Sequence, residues 1–244
     1  WHPLLTDTVR QMADDGIQKA LAIVTSAFGS YSGCRQYLND IEKSRHEVGS
    51  RAPVIDKIRQ FFNHPGFIEP VTERVQDALR DIPVERRKSV PIAYTAHSIP
   101  CSMADTSPYV EQLNETVRLV GNALGNDTGK LVYQSRSGPP NQPWLAPDIC
   151  DYLRLLAADT SHEEVVVVPV GFLSDHMEVQ YDIDVEAATV CQENGLRLFR
   201  AKTVGTHPRF VRMLRELVDE RMSNDTLRLA VGQLPACPDQ CAPE

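Results

Sequence analysis

Apolar residues along this chain fall into two kinds of segment that take turns. Short continuous apolar runs at residues 20–25, 90–95, 131–134, 164–170 and 196–199 read as strands; the 164–170 run, Glu-Val-Val-Val-Val-Pro-Val, is the clearest of them. Between and after them, residues 34–45, 71–79, 110–124, 149–158, 174–193 and 208–222 carry apolar positions at helical spacing. Strands separated by helices of this length predict βαβ units and a parallel sheet covered on both faces. In such folds ligands bind beyond the C-terminal ends of the strands. Three segments therefore come forward: 96–100, 135–140 and 171–178. All are polar, and two carry histidine. The tail from Gln233, rich in Pro, Cys and Ala, reads as an extension outside the sheet.

Composition narrows the function classes. The 244 residues are 42% hydrophobic and 24% charged, which is ordinary for a globular protein with room for one large domain or two small ones. The net charge of −8 is spread along the chain without a basic tract, so no nucleic-acid partner is expected. No run of eighteen apolar residues occurs, so no transmembrane helix is expected. Cys34, Cys101, Cys150 and Cys191 are scattered singly, and Cys237 and Cys241 close the chain. That is the pattern of cytosolic thiols with a tail metal site, not of a secreted disulfide scaffold, and a cytoplasmic protein is expected. The opening Trp1-His2-Pro3 has neither an initiating Met nor a signal-peptide pattern and reads as the interior of a longer chain. Nothing in the pattern sets an oligomeric state.

Candidate chemistry lies in the strand-end segments. His97 follows a hydrophobic strand; a histidine there can take a proton or bind a metal, or simply hydrogen-bond the turn backbone. Glu178, Asp182 and Glu186 are spaced by four. On an α-helix each such step drifts by roughly 40°, giving a slanting acidic row that a local π-turn would straighten. Such a row can bind and pass on divalent cations, or be a solvated face. Asp175 and His176 in the same stretch favour a site, whereas Asp184 falls on another face and reads as solvated. In the Gly/Pro-rich loop, Arg136 can hold a carboxylate and Trp144 can stack on a flat ligand, or Trp144 can cover the core. Cys237-Pro-Asp-Gln-Cys241 has a spacing that zinc or an iron–sulfur cluster can use, but two thiols do not complete a site.

Together these segments resemble the ferrochelatase family over residues 4–222. The histidine motif resembles Thr95-Ala96-His97-Ser98-Ile99-Pro100. The loop resembles Tyr133-Gln134-Ser135-Arg136-Ser137-Gly138-Pro139 with Pro143-Trp144-Leu145. The acidic helix resembles Ser174-Asp175-His176-Met177-Glu178 running on through Asp184. Residues 26–37 are similar to the segment of actinobacterial members associated with coproporphyrin III. The resemblance implies an α/β fold of two Rossmann-like domains with parallel sheets flanked by helices. Residues 1–85 would be the remainder of the first domain, completed by the helix at 206–223 and short at its N-terminus; 86–205 would be the second domain, and 224–244 a C-terminal extension with the cysteine pair. It further implies that His97 and Glu178 are catalytic, that His97, Glu178, Asp182 and Glu186 form the iron path, and that Tyr37, Arg136, Trp144 and His176 contact the substrate. Some members hold a [2Fe-2S] cluster, for which Cys34, Cys237 and Cys241 are candidates with the fourth ligand not identified.

The implied reaction is insertion of Fe(II), a substrate, into a porphyrin, coproporphyrin III before protoporphyrin IX, with no organic cofactor. Rival readings are a chelatase for another metal such as cobalt, a porphyrin or haem carrier without catalysis, and an iron–sulfur sensor. A carrier has no need of the acidic row, and a sensor has no need of three strand-end motifs.

Overall fold

A computed structural model describes all residues except 1, 140, 160, 224–226 and 240–244. The chain opens with α1 (Leu5–Asp14), β1 (Lys19–Ala22), a π-helical turn (Tyr31–Arg35) leading into α2 (Gln36–Val48), β2 (Val54–Lys57) and α3 (Pro65–Leu79). It continues through β3 (Ile92–His97), α4 (Cys101–Ala104), α5 (Tyr109–Leu124), β4 (Gly129–Gln134), α6 (Ile149–Ala158) and β5 (Glu164–Val168). A long helix follows in three parts: α7 (Met177–Val179), a π-helical segment (Gln180–Ala187) and α8 (Ala188–Glu193). Then come β6 (Arg197–Arg200) and α9 (Pro208–Met222). Every predicted helix and strand has a counterpart. Three elements went unpredicted: α1, β2 and the short α4. β2 is too short and too charged, with Asp56 and Lys57, to stand out as an apolar run.

The strands form two parallel sheets, β1-β2 and β4-β3-β5-β6. Alternation along β3 divides the core in two. Ile92, Tyr94 and Ala96 pack with α3 and α5 residues such as Phe67, Val71, Val75 and Leu113. Ala93 joins Val132, Val165 and Val167 on the opposite face, against Leu153, Val179, Ile183 and Ala187. Both faces are thus covered, as a parallel sheet requires. Thr95 and His97, two and four residues after Ala93, share its face.

The last helix returns to the first half of the chain. α9 packs on α3, and the junction is polar. Arg59, almost fully buried, pairs one guanidinium edge with both carboxylate oxygens of Glu220, Nε to Oε1 at 2.7 Å and Nη2 to Oε2 at 2.9 Å. Nη2 also donates to the Leu229 carbonyl at 3.0 Å. Buried His64 caps α3 by accepting from Gly66 N at 3.0 Å; burial, with the Arg59 and Arg209 charges, pulls its pKa down to about 3 and keeps the ring neutral. The described tail lies outside the sheets, yet it is bound to the body by side chains. Asn63 Nδ2 donates to the Leu234 carbonyl at 2.8 Å, Gln233 N donates to Glu115 Oε1 at 2.5 Å, and Arg228 pairs with Asp239 at 2.5 Å. Residues 227–239 are strapped to the body by side chains more than a hundred positions away, which local patterning does not reveal.

Removing Glu220 strands the Arg59 charge in the interior. Glu220→Ala is expected to cost about 3 kcal/mol of unfolding free energy in chemical denaturation. A loss below ~1 kcal/mol would mean that the pair behaves as a surface ion pair.

Candidate active site

β3 and β4 end together: His97 is paired in register with Gln134, and Ser98 N donates to the Gln134 carbonyl at 2.8 Å. Next to them, the chain leaving β5 passes so close that a Cβ on Gly171 would lie 2.7 Å from Ala96 Cα. Gly171 N donates to the Thr95 carbonyl at 3.0 Å. This close approach carries the chain directly from β5 to α7, over the ends of β3 and β4.

The His97 ring is held at one nitrogen. Nδ1 lies 2.6 Å from the Ser98 carbonyl oxygen. A carbonyl only accepts, so Nδ1 bears a hydrogen, and Nε2 is the ring nitrogen left to exchange a proton or bind a metal. That nitrogen is 3.3 Å from Glu178 Oε1. The turn-backbone bond and the chemically available nitrogen, alternatives on sequence grounds, therefore coexist in one ring. Tyr109 Oη donates to the His97 carbonyl at 3.0 Å, and burial raises its pKa, so the phenol stays protonated as a fixed donor. The two side chains are 38% and 46% exposed, which leaves the pair accessible. Two electron-rich atoms facing each other at this distance make a seat for a proton or a cation.

The acidic helix is shaped by burial in steps of four. Val179, Ile183 and Ala187 are fully buried, and Glu178, Asp182 and Glu186 each precede one of them. The stretch from Gln180 to Ala187 is π-helical. Asp182 Oδ2 accepts from Gln134 Nε2 at 3.1 Å and from Ser135 Oγ. Glu186 is exposed and lies near Cys150, whose thiol is pushed up to about 11 by burial first and then by Asp148 and Glu186. Asp184 is exposed on another face, as expected, and there it meets Arg200 Nε at 2.6 Å. Arg200 Nη1 also holds Asp175 at 2.5 Å, so Asp175 anchors the helix entry to β6. His176 is the N-cap of α7, accepting from Val179 N at 3.5 Å, with its ring edge-on to Phe172.

The other candidates lie apart from the pair or serve the loop. Trp144 bridges to Pro100 and covers Gly138, where a Cβ would lie 2.5 Å from its ring; its Nε1 is buried with no partner among the described residues. Arg136 is exposed, with Nη2 3.3 Å from the Gln142 carbonyl. Tyr37 lines a different cavity, with Val9, Leu21 and Ile41. Cys34 and Cys237 line a cavity of about 320 Å³ together with Gln60 and Gln112. Cys241 lies outside the described residues. Among the described residues no three His, Cys, Asp or Glu side chains converge to hold a metal ion, and no helix is long and apolar enough to cross a membrane. Residue patterning missed Gln134, Ser135, Arg200 and Tyr109. Two polar residues closing an otherwise apolar strand, Gln134 and Ser135, were the available signal.

The ferrochelatase family model matches residues 1–222. A ferrochelatase of Rhodopirellula baltica is 46% identical over 99% of this chain and 70% of its own length. A coproporphyrin III ferrochelatase of Streptomyces coelicolor is 44% identical over the whole chain and 72% of its length. Among solved structures, SirB from Bacillus subtilis with Fe3+ superposes with a TM-score of 0.58 at 15% identity, covering 91% of this chain and 80% of that one. The sirohydrochlorin chelatase SirB in complex with cobalt gives 0.56 at 12%, covering 90% and 78%. At that identity these two establish the chelatase-like fold alone. From the family match and the two relatives, the chain belongs to the ferrochelatase family.

Proposed function

We propose that this chain inserts Fe(II) into coproporphyrin III, and that His97 and Glu178 carry the reaction. The observation that supports it most is the single-nitrogen tether of His97, which leaves Nε2 facing Glu178 Oε1 at 3.3 Å. The choice of coproporphyrin III is supported by relatives of that name in Streptomyces coelicolor and Nocardia farcinica, the latter 42% identical.

Insertion exchanges two pyrrole N–H protons for one Fe(II). His97 Nε2 is the acceptor for a proton, and the imidazolium it becomes is paired at once with Glu178. Glu178 carries that proton outward, which returns Nε2 to accept the second pyrrole proton, and the emptied carboxylate can ligate the incoming metal. Asp182 and Glu186, one and two steps along the same helix, give a hydrated path by which iron arrives and protons leave. Arg136 would meet a substrate carboxylate, and Trp144, His176 and Tyr37 would frame the ring. The cavity around Tyr37 is lined differently from the His97 end, so its contact would be with a remote part of the substrate. The acidic row favours this reading over a porphyrin carrier, which has no use for a metal path. Protoporphyrin IX and cobalt are the alternatives within the same chemistry.

A [2Fe-2S] cluster is not supported by the described residues. Cys34 and Cys237 reach one cavity, but Cys34 is disulfide-bonded and so offers no thiolate, no third donor joins them among the described residues, and burial raises the Cys237 thiol pKa.

His97→Ala should lower metal insertion by about 10²–10⁴-fold while the far-UV circular dichroism stays unchanged. Full activity, assayed anaerobically with Fe(II) and coproporphyrin III, would remove His97 from the mechanism. Asp182→Asn should raise KM for Fe(II) and leave porphyrin KM alone; an unchanged iron dependence would reduce the row to a solvated face. Coproporphyrin III should exceed protoporphyrin IX in kcat/KM, and the reverse order would correct the substrate.

A further inference from the structure

Five carboxylates fall within residues 175–186: Asp175, Glu178, Asp182, Asp184 and Glu186. No Lys or Arg occurs from Asp175 through Leu196, so the stretch brings no strong counter-charge of its own. Like charges at helical spacing repel, and a π-helical segment is the less common form of helix. Burial of Val179 and Ile183 seats one side of this helix on the sheet, but it does nothing to balance the repulsion on the other side.

The counter-charge comes from the edge of the sheet. Arg200 is the last residue of β6 and is paired in register with Val167. In-register residues of parallel neighbours share a face, and Val167 belongs to the same buried cluster as Val179 and Ile183, so Arg200 lies on the side of the acidic helix. Its side chain is 18% exposed. Nη1 donates to Asp175 Oδ1 at 2.5 Å, and Nε lies 2.6 Å from Asp184 Oδ1. Thr203 N donates to the same Asp175 oxygen at 3.3 Å. One guanidinium therefore grips the segment on both sides of Glu178: just before the α7 N-cap His176, and again within the π-helical part. A guanidinium presents its N–H groups in a planar fork. It sets the separation of the two aspartates as well as neutralising them, whereas an ammonium would neutralise without setting it.

We propose that Arg200 is the positioning residue for Glu178. The Glu178 side chain is 46% exposed, so packing alone does not fix it opposite His97 Nε2. Holding Asp175 and Asp184 in one fork keeps the turn between them in place, and with it the carboxylate that faces the imidazole. Arg200 touches neither porphyrin nor iron in this role; it acts through the backbone that it spans. This inference rests on the iron-insertion reading above and assigns the residue that keeps the reacting pair together.

The test compares kcat and both KM values in Arg200→Lys, which keeps the charge and loses the fork, and in Arg200→Ala with and without guanidinium ion. Arg200→Lys is expected to lower kcat about tenfold and Arg200→Ala about 10²-fold, the size of a misplaced reacting group, with KM for coproporphyrin III within about twofold. Millimolar guanidinium chloride, compared with sodium chloride at the same ionic strength, should raise the Arg200→Ala rate severalfold and leave the unaltered protein unaffected. Asp184→Asn should lower kcat as well and add little to Arg200→Ala, because both break one fork. If Arg200→Ala fails to fold, Arg200→Lys and its double variant with Asp184→Asn carry the test. An unchanged kcat in Arg200→Lys, or a loss in folded Arg200→Ala that guanidinium leaves in place, would overturn the inference while leaving the insertion reading intact. Absence of insertion by the unaltered chain would overturn that reading, and the inference with it.

Discussion

The candidate site depends on β3 and β4 ending at the same level, with the chain from β5 crossing over both. The His97–Gln134 register places an imidazole and an amide side by side. The Gly171 contact with Ala96 leaves no room for a side chain, so the β5 exit must run close over the strand ends. Alternation then decides which face receives the chemistry. Ala93, Thr95 and His97 share a side, and the helix buried through Val179, Ile183 and Ala187 covers it. Glu178 and Asp182 are delivered to that side because their neighbours in sequence are core residues. A one-residue shift of β4 would turn Gln134 to the other face and take its amide away from Asp182.

Polar clamps complete what packing begins. Arg200 grips the acidic helix at Asp175 and Asp184. Gln134 and Ser135 grip it at Asp182. The Ser98 carbonyl fixes the His97 tautomer, and Tyr109 fixes the His97 backbone. Asp182 is therefore held from a different element and the His97 ring by the backbone that follows it, as preorganisation of a site requires. Farther away, Arg59, Asn63 and Glu115 tie α9 and the tail to the first half of the chain.

Much of this was legible in the sequence, for physical reasons. Buried parallel strands are continuous apolar runs, so Val165–Val168 declared β5, and strand-end polarity pointed to His97 and Glu178. The four-residue spacing of the carboxylates foreshadowed the π-helical segment. What stayed hidden was long-range polar pairing. Nothing near Asp184 announces Arg200, and nothing near Gln233 announces Glu115. β2 was invisible because a short strand with charged residues carries no apolar run.

The central claim is that this chain performs metal insertion at the His97–Glu178 pair. The most direct measurement is an anaerobic single turnover of the unaltered protein with coproporphyrin III, following porphyrin fluorescence before and after Fe(II) is added. The account predicts stable fluorescence with porphyrin alone, then loss at a rate that saturates with Fe(II), yielding coprohaem. Tight porphyrin binding with fluorescence that Fe(II) leaves unchanged would contradict it and identify a carrier instead.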